Sequence, residues 1–221
     1  MTPLTAADYA ALENQSWLTR EIVDAAKIQR VDTIDGALLV GRPATAAKDY
    51  AGQVFPYFWP GDTKPREYRL RRDNPDLVRQ PDGSNKVKNK YLGPPGSTNR
   101  FYTPPDTPAE WLTDATIPVV FVEGEKKALA MWRYYKERGE KRLVIGLAGV
   151  WGWRGTVEKM TGHNGKTRNV SGTIADFDRI EWEGREVLII FDINVLTDKG
   201  VEAARGELAR EVQRRGGGRP G

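Results

Sequence analysis

The chain has 221 residues, 39% of them hydrophobic, and seven Trp, enough to build a full core; the mean hydropathy of −0.59 and the 29% of charged residues describe a water-facing exterior. With no Cys and a single His, His163, the composition excludes disulfides, thiolate or His-rich metal sites and a Cys nucleophile. Any metal must then sit on oxygen ligands, which suits Mg²⁺ or Mn²⁺. No stretch approaches the roughly 18 apolar residues of a membrane helix, and the opening residues from Met1 to Asp8 lack the basic start and apolar run of a secretory leader. A cytoplasmic protein with no membrane partner is expected.

Residues 1–30 read as a helical segment, with Leu12, Leu18, Ile22, Val23 and Ala26 falling on one face after a break near Ser16. Ser16 and Thr19 are candidate N-caps, and the pair of helices would serve packing more readily than DNA reading. Residues 31–41 predict a hairpin turning at Asp35 and Gly36. Residues 31–112 form a basic, aromatic, β-rich region. Ten Lys/Arg face four acids between residues 64 and 100, a local excess of six that exceeds the net +4 of the whole chain. Such clustering is the footprint of a phosphate-backbone binder, and equally of a solvated loop surface. The strand-like stretch 67–72 carries Arg69, Arg71 and Arg72; Asp82 and Gly83 make a turn; residues 86–91, with Lys90, form the returning strand. Aromatics interleaved with Arg and Lys suit single-stranded DNA or RNA, and also an ordinary small β core.

Beyond residue 113 the pattern changes. Three short branched runs at 118–122, 143–147 and 187–191 read as buried parallel strands. Helices are predicted over 125–138 and 199–214, with a polar, glycine-rich loop over 151–175. This is a βαβ pattern in a domain spanning 113–215. Open parallel sheets place their sites at the carboxyl ends of the strands. Glu123 ends the first run and Asp192 follows the third, with Gly124 permitting a sharp turn and a close ligand approach. Paired carboxylates there can grip Mg²⁺ while leaving positions for water and phosphate oxygen; a single strand-end acid can equally cap a helix. Lys126 and Lys127 open the following helix, for phosphate contact or as a solvated face. Trp151, Trp153 and Arg154 are placed to stack on a nucleotide, or to pack the module. The stretch 162–167 lacks P-loop spacing, with two residues instead of four between its glycines, and His163 has no evident partner as a base.

The order strand–Glu-Gly–helix–strand–strand–Asp-x-Asp–helix resembles the Toprim fold of primases, type IA and II topoisomerases and related nucleases, and a nearer likeness is carried by the run Val122-Glu123-Gly124-Glu125-Lys126-Lys127-Ala128, the later Gly149-Val150-Trp151-Gly152-Trp153-Arg154, and the segments 67–73, 90–96 and 183–192. Within it they are similar to a Toprim-like domain of unknown function in primase- or helicase-associated replication proteins of phages, plasmids and integrated mobile elements. The resemblance spans roughly residues 50–215. It implies an α/β fold with a mostly parallel sheet flanked by helices, preceded by a small helical and β-rich N-terminal region. It implies Glu123 and Asp192 as catalytic residues, and Mg²⁺ or Mn²⁺ held by Glu123, Asp192 and Asn194. Arg69, Arg71, Arg72, Lys90, Lys126, Lys127 and Arg154 are the candidate nucleic-acid contacts, and a helicase or another replication protein the candidate partner.

The implied chemistry is primase-type nucleotidyl transfer or nuclease action. Asn194 stands where this family usually has a second Asp, which removes a charge; Asp198 would compensate if its loop folds back. A Toprim sheet also expects a further C-terminal strand, whereas 216–221 is Gly-rich and reads as a disordered tail, either of a fragment or of a chain whose sheet a partner completes. The alternative reading is a non-catalytic nucleic-acid-binding or docking module with a degenerate site. A small-molecule enzyme using the same sheet edge has no cofactor fingerprint in its support.

Overall fold

A computed structural model of the chain describes residues 1–43, 48–161, 165–192 and 198–218. Asn194, His163 and residues 219–221 therefore lie outside the described residues. The chain divides into two compact units, one of Met1–Phe58 with Thr63–Ser97, the other of Trp59–Asp62 with Thr98–Gly221. Residues 1–30 thus share a unit with the β-rich stretch, and 98–112 go with the parallel sheet. None of the helices among the described residues is long and apolar enough to cross a membrane.

The first unit opens with α1 (Ala6–Ser16) and α2 (Arg20–Ala25). Ser16 closes α1 rather than capping the next helix. The working cap is Thr5: its hydroxyl accepts from the Asp8 amide at 3.2 Å, and the Asp8 carboxylate accepts from the Thr5 amide at 2.9 Å. This reciprocal box satisfies two helix-end donors. Trp17 ends α1 in the left-handed region at φ 55°. The expected apolar face is real, since Leu12, Leu18, Ile22, Val23 and Ala26 are all buried.

After β1 (Gln29–Val31) the predicted hairpin is instead a helix, α3 (Thr33–Leu39). The Asp32 side chain caps it by accepting from the Asp35 amide at 2.8 Å. Gly36 is helical, and a side chain there would collide with the Tyr50 carbonyl. Its glycine serves close packing, a role that reads like a turn when only the dipeptide is seen. Next come β2 (Gly52–Tyr57), β3 (Glu67–Arg72), β4 (Asp76–Arg79), β5 (Asn85–Lys88) and β6 (Tyr91–Leu92). One antiparallel sheet has the order β1-β2-β3-β6, while β4 and β5 form a separate hairpin across Asp82 and Gly83. Every residue of β2 is buried, and Val54 packs with Leu70, Val31, Ala37, Val40 and Tyr50.

The second unit carries β7 (Val119–Glu123), α4 (Glu125–Glu137), β8 (Leu143–Leu147), the hairpin β9 (Arg154–Thr161) and β10 (Thr167–Thr173), then β11 (Val187–Ile190) and α5 (Lys199–Arg214). The three apolar runs pair in parallel in the order β11-β7-β8. The free edge of β8 is met by Tyr102, which exchanges backbone hydrogen bonds of 2.8 and 3.0 Å with Gly146. Helix α4 buries Ala128, Leu129, Trp132 and Tyr135, and α5 buries Val201, Ala204, Leu208 and Val212, both at helical spacing. Phe101, Phe121, Trp153, Phe177 and Trp182 form an aromatic cluster in the core, with neighbouring ring centroids 5.0–6.1 Å apart.

Two expectations fail here. The loop over 151–175 contains the β9–β10 hairpin; its strands pair backbone to backbone without burying a face, so they leave no hydrophobic alternation in the sequence. The tail is ordered as far as it is described: Gly184 and Gly218 amides donate to the Gly216 and Arg185 carbonyls at 2.9 and 2.8 Å. Gly216–218 accordingly return to the start of β11. Arg185 itself is fully buried and donates to the Trp111 and Asp114 carbonyls.

Candidate functional site

Glu123 is the last residue of the central strand β7, opposite Leu147 at the end of β8. Gly124 then turns the chain at φ 86°, a conformation L side chains rarely adopt, and its amide donates to the Leu147 carbonyl at 2.8 Å. On the other side Val122 pairs with Ile190, so Asp192 leaves the sheet within a residue or so of the same level. Lys127, in the first turn of α4, forms an ion pair with the Asp192 carboxylate. Burial pushes the Glu123 carboxyl above its ordinary range; Lys127 opposes that and the Asp192 charge reinforces it. The structure therefore brings Glu123, Lys127 and Asp192 together at one carboxyl edge.

Asp198 caps α5, its Oδ1 accepting from the Gly200 and Val201 amides at 2.8 and 3.3 Å; the preceding residues 193–197 lie outside the described residues. Among the described residues no group of three or more His, Asp or Glu could hold a metal ion. The carboxylate pair and its lysine thus form a compact charged cluster with oxygen donors from two strands. Lys126 is half-buried, unlike the exposed Lys127. The neighbouring Glu125 is almost fully buried in the first turn of α4, and with it the Tyr102 phenol, whose ionisation burial and the Glu125 charge both oppose.

The two indoles of the second motif separate. Trp153 is 4% exposed and belongs to the core, whereas Trp151 is 39% exposed. Arg154 lies beside both, its guanidinium 5.7 Å from the Trp151 ring centre and 5.4 Å from that of Trp153. It pairs with Glu207 of α5 at 2.8 Å. Sequence reasoning missed Glu207 and Arg210 beside this arginine, because a polar helix face carries no mark of what it lies against.

In the first unit Arg72 is not a surface contact. It is 2% exposed, donates to the Asp49 carbonyl at 2.6 Å and the Asp76 carboxylate at 3.0 Å, and covers the Tyr50 ring. Arg69 and Arg71 are half-buried on β3, Arg69 over the Tyr91 ring. Lys90 is exposed, as are Arg79, Lys86 and Lys88 on the β4–β5 hairpin, which the sequence reading had passed over as individual contacts.

The second unit is thus an α/β module with a carboxylate–lysine–carboxylate cluster at the carboxyl edge of a parallel sheet. Residues 109–218, which take in all three parallel strands and both flanking helices, match the family model described as Domain of unknown function (DUF3854). No curated protein matches the chain, and no solved structure does.

Proposed function

We propose that the protein is a Toprim-like, replication-type protein acting on DNA or RNA, with Glu123 and Asp192 taking Mg²⁺ or Mn²⁺ for phosphoryl or nucleotidyl transfer. One observation carries this reading: two carboxylates leave neighbouring parallel strands at the same sheet edge, one of them half-buried with a raised pKa. Hard oxygen donors from two side chains suit Mg²⁺, which binds protein through one or two carboxylates and keeps several of its waters. Such an ion, when bound, would activate an attacking oxygen and neutralise phosphate charge. Lys127 would then leave Asp192 and face the incoming phosphate. The half-buried Glu123 would hold or accept a proton near the edge. Exposed cations such as Lys90 in the first unit would supply sequence-independent backbone contacts, and a helicase-type partner fits the same setting.

The Lys127–Asp192 pair favours a second reading, a nucleic-acid-binding module whose lysine permanently supplies the cation. Calorimetric titration of Mn²⁺ into wild type, Lys127→Met and Asp192→Asn separates the two, together with Mg²⁺-dependent primer synthesis and nicking. The catalytic reading expects tighter Mn²⁺ binding in Lys127→Met, and loss of both binding and activity in Asp192→Asn and Glu123→Gln. Activity indifferent to both carboxylate substitutions would sink it. Salt-dependent strand binding without Mn²⁺ uptake in any variant would establish the second reading.

A further inference from the structure

Trp151 follows β8, the strand whose last residue, Leu147, pairs with Glu123. The indole is 39% exposed, so part of its ring is open to solvent. It lines an open cleft of about 540 Å³ with Asn99, Arg154, Gly155, Thr156 and Ser171. Four of these six residues present a guanidinium, an amide or a hydroxyl, so the wall around the indole is polar. The Asn99 amide is held in place by donating to the Arg154 carbonyl at 2.6 Å, which leaves its oxygen as an acceptor. The Trp151 ring lies 6.3 Å from Trp153, nearly parallel to it, so the exposed indole is backed by a core residue.

Arg154 also lines a second cleft of about 580 Å³, with Trp153, Gly172, Thr173, Glu207, Arg210, Glu211 and Arg214. The two clefts therefore share Arg154. In the second one, Arg154 is paired with Glu207 and Arg214 with Glu211. Arg210 is exposed and has no partner among the described residues. An aromatic face beside a fixed cation, followed by an unbalanced cation, matches a base joined to its phosphate and a phosphate further along.

We infer that the cleft between Trp151 and Arg154 is a nucleotide-binding site: a base stacks on Trp151, its phosphate meets Arg154, and a neighbouring phosphate of a single strand meets Arg210. Asn99, Thr156 and Ser171 hydrogen-bond base edges or sugar without demanding one sequence. Glu207 competes with the phosphate for Arg154 and so limits affinity. This deepens the nucleic-acid reading and rests on it, but it does not depend on metal at Glu123 and Asp192.

Fluorescence anisotropy with a labelled 15-mer of thymidylate, repeated with unlabelled thymidine monophosphate as competitor, tests the assignment in wild type, Trp151→Ala, Trp151→Phe, Glu207→Gln and Arg210→Ala. Losing one stacked base is expected to weaken oligomer binding about tenfold in Trp151→Ala, with Trp151→Phe retaining most of the affinity. Glu207→Gln is expected to tighten binding several-fold, which loss of a merely structural ion pair would not do. Arg210→Ala should lower the salt slope by about one. Competition by the monophosphate assigns the cleft to a free nucleotide, and its failure to compete with a bound oligomer assigns a strand. Equal affinity of Trp151→Ala and wild type for both probes overturns the site, as does weaker binding in Glu207→Gln. Should Trp151→Ala fail to fold, Trp151→Phe and Glu207→Gln decide the matter. Mn²⁺ titration reads the carboxylate cluster separately: normal uptake with weakened strand binding in Trp151→Ala supports this site, and lost strand binding in Trp151→Phe with normal uptake overturns the stacking assignment while leaving the carboxylate reading standing.

Discussion

Arg72 in the first unit and Glu123 in the second both close a strand, and their charges meet opposite environments. Arg72 is buried with a backbone carbonyl, the Asp76 carboxylate and the Tyr50 ring around it. Glu123 is half-buried, and none of the described residues donates a hydrogen bond to it; its neighbours act on it only through burial and charge. The first arrangement holds a unit together. The second is retained at a cost in stability, which is how groups poised for ligands or proton transfer are commonly held.

The same contrast runs through the carboxylates. Burial pushes the Asp8 carboxyl up, yet the Thr5 hydroxyl and amide, Gln53 and Arg30 together hold it below its ordinary range. Thr33, Asn74 and the Ala51 amide lower Asp49, and Asn89 and Arg72 lower Asp76. These depressed groups contribute stability above the ordinary Asp range, about pH 4, which is lost as pH falls through their folded values. Glu123 has the opposite sign. Its raised pKa makes the ionised form unfavourable in the fold, and that penalty fades as pH falls from the raised value into the ordinary Glu range.

The largest effect expected from breaking this comparison lies outside both sites. Phe177→Ala removes the ring at the centre of the aromatic cluster and should cost about 4 kcal/mol. Six of the seven Trp, all but Trp17, belong to the second unit, so urea unfolding followed by indole fluorescence reads this loss. Arg72→Met should cost the first unit about 3 kcal/mol, because it removes the buried hydrogen bonds to the Asp49 carbonyl and the Asp76 carboxylate. Amide exchange of β2 and β3 measures it. If exchange there is unchanged, Arg72 is not the structural anchor described. Thr5→Ala should cost about 1 kcal/mol by removing the cap of α1, seen as faster exchange of the first-turn amides. Smallest, and of opposite sign, Glu123→Gln should raise the melting temperature at pH 7. The gain should fade as pH falls from the raised Glu123 value into the ordinary Glu range; a destabilised variant at pH 7 would contradict the penalty assigned to this carboxylate.

Where one face or one run was buried, the sequence was readable. The three branched runs became β7, β8 and β11, and α5 spans the expected residues, because burial on a sheet or helix face imposes a period on the chain. The placement of Glu123 and Asp192 at strand ends followed from the same runs. The β9–β10 hairpin was not readable, since neither strand has a buried face. Gly36 was misread because the turn-like dipeptide gave no hint of the Tyr50 backbone packed against it.

Which charges are spent and which remain open was a tertiary matter. Arg69, Arg71 and Arg72 look alike in the chain, yet only Arg72 is buried, because strand alternation turns it inward toward Asp49 and Asp76. Likewise Lys126 and Lys127 are adjacent, but helix geometry delivers only Lys127 to Asp192, 65 residues further along the chain. Local pattern was enough to locate strands, helices and the acidic edge, since period and hydropathy are properties of neighbours in sequence. The pairing of those acids and bases was decided by packing, because an ion pair joins residues that only the fold makes neighbours.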